Sequence, residues 1–219
     1  MGIALQGEDD EFPDSTTASR TLVIACGAIA HELTTLIKAN RWQHLDIQCL
    51  PAKWHNTPDR ITPAIEKKIQ QYKDQYQRIF IAYADCGTGG QLDALLLQHG
   101  IERLPGDHCY GFFSGQEVFE AMAEAELGTF YLTDYLVDHF QRLIMDELGI
   151  TRHPELRELY FGHYTRFLYL RQDTNSDKCE ARMQKARAAA QALGLKLEIH
   201  DTGLKPFEHS LAPIQIIAR

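Results

Sequence analysis

The sequence contains no apolar run near the roughly 18 residues that a membrane-spanning helix needs. Residues 1–20 also lack the basic start and the apolar stretch of a signal peptide. We therefore expect a cytoplasmic protein that does not enter a membrane. The chain has no excess of positive charge either, since 22 lysines and arginines face 30 aspartates and glutamates, for a formal net charge of −8. Without a basic surface, nucleic acid is not an expected partner.

Several catalytic signatures are missing as well. The first predicted strand is not followed by the Gly-x-Gly-x-x-Gly pattern of dinucleotide-binding folds, and the P-loop, His-Glu-x-x-His and Ser-His-Asp signatures are absent. The five cysteines form no Cys-x-x-Cys pair, the spacing that indicates a metal site most strongly. In a cytoplasmic chain we expect these cysteines to be free, metal-bound or catalytic rather than paired in disulfides.

The composition that remains is that of an ordinary globular protein. Of the 219 residues, 44% are hydrophobic and 24% are charged, and this length suits one domain with a full core. The polar, acidic residues 1–20 are predicted to be a disordered leader. Residues 21–219 are predicted to form a single α/β domain.

Continuous apolar runs such as 21–26 are typical of strands buried on both faces, as parallel sheets require. These runs alternate with helical segments along the chain, among them residues 114–125 and 135–148. The alternation predicts a doubly wound, mostly parallel sheet with helices on both faces, which is a Rossmann-like fold. The predicted strands are 21–26, 45–50, 78–83, 101–104, 128–133, 166–170 and 195–200.

Three of the five cysteines, Cys26, Cys86 and Cys109, follow or close predicted strands. Ligands of open α/β sheets bind outside the carboxyl ends of the strands, so we expect the three thiols to meet there. Thiolates suit zinc or an iron–sulfur cluster, and three protein ligands leave one position open for water or substrate. In the opposing interpretation each cysteine is a small buried hydrophobe. Cys49 and Cys179 are expected to have no chemical role.

A glycine-rich turn, Asp-Cys-Gly-Thr-Gly-Gly at 85–90, joins the third strand to a helix. Such a turn presents backbone N–H groups to an anion, and the helix dipole favours negative charge at that point. The same field would favour the Cys86 thiolate as a ligand or nucleophile. The alternative is a tight turn that simply needs glycine. The predicted substrate- or anion-binding residues here are Gly87, Thr88, Gly89 and Gly90.

The loop after the second strand supplies further polar groups at the same edge of the sheet. His55 is a candidate acid or base, and Arg60 is a candidate for holding a carboxylate or phosphate. Equally, this segment could only shape a turn. Asp85 and His108 complete the predicted catalytic set, and His108 is also a candidate fourth metal ligand.

Five segments of the chain form long, specific motifs, and the first four of them contain the candidate residues. They are Ala-Cys-Gly-Ala at 25–28, His-Asn-x-Pro-x-Arg at 55–60, Ala-Tyr-Ala-Asp-Cys-Gly-Thr-Gly-Gly at 82–90, Pro-Gly-x-His-Cys-Tyr at 105–110 and Gly-Thr-Phe-Tyr-Leu-Thr-Asp at 128–134. Over roughly residues 21 to 210 the chain thereby resembles a bacterial and archaeal family of uncharacterised domains. Genes of that family tend to lie near corrinoid-dependent methyltransferases, so the resemblance implies a pathway in methylated-amine metabolism rather than a reaction.

These observations lead to one principal hypothesis and two alternatives. The principal hypothesis is a metal–thiolate enzyme or accessory protein of one-carbon metabolism, with zinc or an iron–sulfur cluster on Cys26, Cys86 and Cys109 and an indirect link to a corrinoid. One alternative is a metal-free module that binds a small molecule or serves a corrinoid methyltransferase system. The absence of the corrinoid-binding signature Asp-x-His-x-x-Gly weighs against independent corrinoid binding. The other alternative is a transferase whose nucleophile is Cys86.

Overall fold

The computed structural model describes residues 20–175 and 177–215, where the chain forms seven strands and nine α-helices. The strands are β1 (Thr21–Cys26), β2 (Leu45–Leu50), β3 (Arg78–Ala82), β4 (Glu102–Arg103), β5 (Thr129–Leu132), β6 (Arg166–Arg171) and β7 (Lys196–Asp201). The helices are α1 (Ala30–Asn40), α2 (Ile61–Tyr72), α3 (Gln91–His99), α4 (Tyr110–Ser114), α5 (Gln116–Ala125), α6 (Asp134–Asp138), α7 (Leu156–Phe161), α8 (Cys179–Leu193) and α9 (Lys205–Ser210). Short 3-10 turns cover Gly27–Ile29, Ala52–Asn56, Pro58–Arg60 and Ala212–Ile214, and a π-helix covers Gln141–Asp146.

All strands pair in parallel, and they form two sheets. The first sheet has the order β2-β1-β3-β4 and the second the order β5-β6-β7. The predicted α/β class with a parallel, Rossmann-like arrangement is thus confirmed. The seven strands are divided between two sheets because β4 has only two residues and the chain then turns into α4 and α5 before β5 pairs with β6. The assignment of residues 21–219 to one domain stays a prediction.

The first sheet lies at the centre of the larger hydrophobic core. Every residue of β1 is buried, as its unbroken apolar run predicts. Helix α2 packs on this core through Ile61, Ile65 and Ile69, which are spaced four apart and so share one helix face. The core is completed by α9 from the end of the chain, where Phe207 stacks on Phe112 of α4 with ring centroids 6.0 Å apart.

A second core surrounds β5 and β6, with α8 covering it through buried alanines and leucines. Its polar centre is Asp134, which is only 3% exposed. This carboxylate pairs with Arg182 of α8 at 2.9 Å and accepts a hydrogen bond of 2.6 Å from the Tyr169 hydroxyl. The buried charge is therefore neutralised within the second half of the molecule.

The sequence prediction differs from the structure in two helical regions. The helix predicted over 114–125 is interrupted at Gly115, where φ is +83°, a value that favours glycine. The helix predicted over 135–148 is replaced by the short α6 and the π-helix. Residues 1–19 of the predicted leader lie outside the described residues, whereas Arg20 forms an ion pair with Asp46. Among the helices of residues 20–175 and 177–215, none is long and apolar enough to cross a membrane.

Candidate functional site

A cavity of about 700 Å³ lies where the loops at the carboxyl edge of the first sheet meet the second half of the molecule. Its lining includes His55, Cys86 and Cys109 from the first half and Tyr131 and Tyr164 from the second. This volume is in the range of small-molecule sites. The position agrees with the rule that open parallel sheets bind ligands outside the carboxyl ends of their strands.

Cys86 occupies an unusual backbone conformation at this cavity. Its φ is +51°, and apart from Arg41 it is the only non-glycine residue in the described chain with a positive φ. Such a conformation costs a non-glycine residue free energy, so the surrounding structure must hold it in place. The N–H of Cys86 donates to the carbonyl oxygen of Asp107 at 2.9 Å, and the N–H of Asp85 donates to that of Gly106 at 3.0 Å. These two bonds tie the cysteine turn to the loop that carries Cys109.

His55 lies near two of the three predicted cysteines, and the third lies near one of these. The Nδ1 atom of His55 is 3.8 Å from the sulfur of Cys26. The imidazole also interacts with Cys86, which in turn interacts with Cys109. Each cysteine is at most 9% exposed. Three thiols and one imidazole therefore form a single polar cluster at the end of the cavity.

Within this cluster the pKa values of the two cavity-lining thiols shift in opposite directions. The hydrogen bond from Cys109, assisted by His55 and opposed by burial, lowers the pKa of Cys86 to about 5. The same interaction with Cys86, together with burial, raises the pKa of Cys109 well above its ordinary value. Burial acts to lower the pKa of His55, but its interactions with Cys26 and Cys86 outweigh burial and raise that pKa well above 6.5. The arrangement corresponds to a Cys86 thiolate beside a His55 imidazolium, with Cys109 as the protonated donor.

Two buried polar atoms on residues that line the cavity have no hydrogen-bond partner within the described parts of the chain. They are Nε2 of His55 and the hydroxyl oxygen of Tyr131. Buried polar groups in proteins are nearly always satisfied, so each such atom needs an explanation. A bound ligand with polar groups at both ends of the cavity would satisfy them.

The hydrogen-bond donors of the glycine-rich turn bind a side chain of the same turn, the carboxylate of Asp85. The carboxylate of Asp85 accepts hydrogen bonds from Thr88 Oγ1 at 2.6 Å, from the N–H of Gly89 at 3.1 Å and from the N–H of Gly90 at 2.9 Å. It also interacts with the N–H of Gly87. The anion that these groups bind is thus the side chain of the same turn. The interpretation of Gly87, Thr88, Gly89 and Gly90 as a site for an external anion, and of Asp85 as a catalytic group, stays a prediction.

The remaining predicted site residues are distributed unevenly. Arg60 is exposed and does not line the cavity, so its predicted role in substrate binding has no geometric support. His108 does line it, with its ring 6.0 Å from that of Phe119 and 6.4 Å from that of Tyr110. Cys49 is exposed on β2 and Cys179 interacts with Arg171 on the second half, away from the cavity.

An aromatic wall that the sequence analysis did not identify continues from Cys109 along the cavity. Tyr110 packs against Tyr131 and Phe119 packs against Tyr131, with centroid distances of 5.4 and 5.2 Å. The charged side chains on the lining are Lys53, Asp107, Glu120 and Glu124, apart from the histidines. Three acids against one base make this an unfavourable environment for an anionic ligand.

The cluster has the donor types of a zinc site but not the geometry of one. Thiolate and imidazole are the donor types that zinc prefers. Within residues 20–175 and 177–215, however, no group of three or more His, Cys, Asp or Glu side chains has an arrangement that could hold a metal ion. The donor chemistry of the cluster fits zinc, whereas its geometry in the structure is that of a hydrogen-bonded thiol–imidazole network.

The fold and site thus define an α/β protein with a cysteine–histidine centre at the carboxyl edge of a parallel sheet. The chain belongs to the DUF1638 family, described as a protein of unknown function, whose model matches residues 49–211. This range contains His55, Cys86 and Cys109, while Cys26 precedes it. The searches of curated proteins and of solved structures found no match.

Proposed function

We propose that the protein is an enzyme in which the Cys86 thiolate is a nucleophile that accepts a group from a small electrophile bound in the cavity. The observation that carries this proposal is the placement of the Cys86 sulfur beside His55, at the cavity and on a strained turn. A thiolate is the reactive form of cysteine, and a neighbouring imidazolium stabilises it. Backbone strain held by a surrounding network is typical of functional positions.

The backbone N–H groups around Cys86 already have hydrogen-bond acceptors, which favours transfer of an alkyl group over transfer of an acyl group. Acyl transfer passes through an oxyanion that needs free N–H donors next to the nucleophile. The N–H of Cys86 is bonded to Asp107, and those of the following glycines face Asp85. Direct displacement at an alkyl carbon needs no such donors. The Cys86 sulfur would form a bond to that carbon, the leaving group would depart with the bonding electrons, and His55 would supply a proton where the leaving group is basic.

One-carbon transfer is the simplest case of this chemistry. A methyl group accepted on Cys86 and then passed to a second nucleophile would regenerate the thiolate. This case retains the link to corrinoid-dependent methyltransferases that the resemblance implies, with such a system as the partner. Support for the proposal comes from the single thiolate at the cavity.

The acidic cavity lining favours an electrophile that is neutral or cationic. Iodoacetamide and iodoacetate test this directly, because they share a leaving group and differ in charge. We expect limiting reagent at pH 7 to label Cys86 before the exposed Cys49, and iodoacetamide to be preferred over iodoacetate more strongly at Cys86 than at Cys49. Glu124→Gln should weaken that preference. Faster labelling of Cys49 than of Cys86 would contradict the proposed nucleophile.

A metal–thiolate enzyme or accessory protein is the second candidate, and one observation favours it. Cys26, Cys86, Cys109 and His55 bring three sulfurs and an imidazole to one place, with Cys26 and His55 atoms at 3.8 Å. Zinc or an iron–sulfur cluster would require these side chains to draw closer than they lie in the structure. Bound there, zinc would supply Lewis-acid activation of a thiol or water, while Cys86 and Cys109 would still face the cavity.

Metal analysis separates the two candidates. Protein purified without air and without a histidine tag would contain about one zinc, or iron with acid-labile sulfide, if the second candidate holds. The metal would be lost in Cys109→Ser and retained in Cys49→Ser. Protein without metal that still shows selective Cys86 labelling supports the metal-free nucleophile. Protein with neither property would leave the binding module as the function to pursue.

A further inference from the structure

A second chemical property of the cavity follows from the contact between Cys86 and Cys109, not from Cys86 alone. We infer that Cys86 and Cys109 form a reversible thiol–disulfide couple, in which Cys86 attacks a small-molecule disulfide in the cavity and Cys109 resolves the mixed disulfide. This inference rests on the nucleophile of the proposed function and adds a redox activity to it. In the structure both residues are free thiols.

The backbone holds the two cysteines on neighbouring loops. Residues 85–86 and 106–107 are joined by two hydrogen bonds of 3.0 and 2.9 Å, which continue the parallel pairing of β3 with β4. Cys109 follows two residues later and interacts with Cys86. A disulfide requires the sulfurs to approach to ~2.05 Å, so the two loops must adjust when it forms. Gly87 and Gly106, with φ of +83° and +98°, adjoin these loops and give them the needed freedom.

The chemical asymmetry of the pair suits the two roles. A thiol that attacks a disulfide must be ionised, whereas a resolving thiol should stay protonated until the first step is complete. The interaction between the two residues lowers the pKa of Cys86 and raises that of Cys109, which supports these roles. Both residues line the cavity, and thus a mixed disulfide formed on Cys86 would lie next to Cys109.

The reaction balances as follows for a disulfide RS–SR. The Cys86 thiolate forms a bond to one sulfur, the S–S bond breaks, and one RS⁻ leaves with the electron pair and takes up a proton. The Cys109 sulfur then attacks the Cys86 sulfur and breaks the mixed disulfide. The second RS⁻ leaves with the electron pair, takes the proton that Cys109 loses, and departs as RSH. The substrate gains two electrons and becomes two thiols, while the protein loses two electrons and gains the Cys86–Cys109 disulfide. A dithiol reductant reverses the protein's oxidation.

Bis(2-hydroxyethyl) disulfide, which is small and uncharged as the acidic cavity lining requires, is the probe for this activity in the whole chain. Reduced protein is incubated with graded ratios of this disulfide to 2-mercaptoethanol, quenched in acid, alkylated and digested with trypsin. The five cysteines fall on five different tryptic peptides, with Cys86 on 79–103 and Cys109 on 104–142. We expect these two peptides to become disulfide-linked, and dithiothreitol to release them.

Matched variants identify each step. Cys109→Ser should stop at a stable mercaptoethanol adduct on Cys86, Cys86→Ser should form neither product, and Cys49→Ser should behave as the wild type. In the wild-type protein, a persistent mercaptoethanol adduct on Cys86 would overturn the resolving role of Cys109 while leaving the nucleophile intact. Linkage of Cys86 to Cys26 in its place would also overturn it. No modification of Cys86 at any ratio would defeat both the couple and the proposed nucleophile.

Discussion

Glu32 of α1 offers a prediction whose size follows from the structure. Its side chain is 5% exposed, and its Oε2 atom has no hydrogen-bond partner in the described part of the chain. Burial, reinforced by Asp134 and only partly offset by Arg182 and a backbone hydrogen bond, raises its pKa from 4.5 to about 7. Each tenfold change in affinity for the proton corresponds to about 1.4 kcal/mol, so the full effect on stability is about 3 kcal/mol.

The sign follows from which state holds the proton. Between pH 4.5 and 7 the folded protein keeps a proton on Glu32 that the unfolded chain has released. The folded state is therefore favoured below this range, and that stability is lost as the pH rises to about 7. We expect Glu32→Gln, which cannot ionise, to remove this dependence. The free energy of unfolding of the wild type relative to Glu32→Gln should fall by about 3 kcal/mol between pH 4 and pH 8.

Denaturant unfolding at intervals over this pH range measures the difference. Subtracting the free energy of unfolding of the variant from that of the wild type cancels the titration of the other carboxylates, which the two proteins share. Glu66→Gln, at an exposed position of α2, is the matched control and should stay within about 0.5 kcal/mol of the wild type at every pH. A constant difference between wild type and Glu32→Gln across the range would refute the reasoning.

Four further substitutions test other parts of the account. Asp85→Asn should destabilise the fold by about 2 kcal/mol in denaturant unfolding, because a charged acceptor of three hydrogen bonds is lost, and it should slow iodoacetamide labelling of Cys86. Gly87→Ala and Gly100→Ala each force a side chain into a positive φ and should each cost about 1–2 kcal/mol. Only the first should alter Cys86 labelling, and equal labelling in both would contradict the role of the turn. Arg182→Met should lower stability by about 3 kcal/mol or more, because it removes the cation that pairs with the buried carboxylate of Asp134; a thermal midpoint unchanged from the wild type would show that the pair contributes nothing.

Local sequence patterns predicted the strands well where burial is complete. The bounds of β1 and β2 agree with those predicted. For β1 the reason is that an unbroken apolar run is itself the condition for a strand inside a parallel sheet. The strand-end positions of Cys26, Cys86 and Cys109 followed from the predicted ends of β1, β3 and β4. The division into two sheets did not, because strand pairing is decided by contacts between distant residues and leaves no local pattern.

The site was predictable to the extent that it depends on strand ends. The position of His55 among the cysteines required the fold of the loop after β2, and the aromatic wall around Tyr131 required the packing of one half on the other. The hydrogen bonds that Asp85 accepts from its own turn were not predicted, for a different reason. A glycine-rich turn exposes N–H groups in any sequence, but whether an external anion or a neighbouring carboxylate takes them depends on one side-chain rotamer.

The pH dependence of Cys86 alkylation tests the central claim most directly. The rate of iodoacetamide labelling at Cys86 is followed from pH 4 to pH 10 in the wild type and in His55→Gln, with Cys49 as the internal reference. The account predicts a wild-type midpoint near the pKa of about 5 and a higher midpoint in the variant, because the imidazole no longer stabilises the thiolate. A wild-type midpoint in the ordinary thiol range around 8.5, unchanged in His55→Gln, would contradict a thiolate nucleophile at this site.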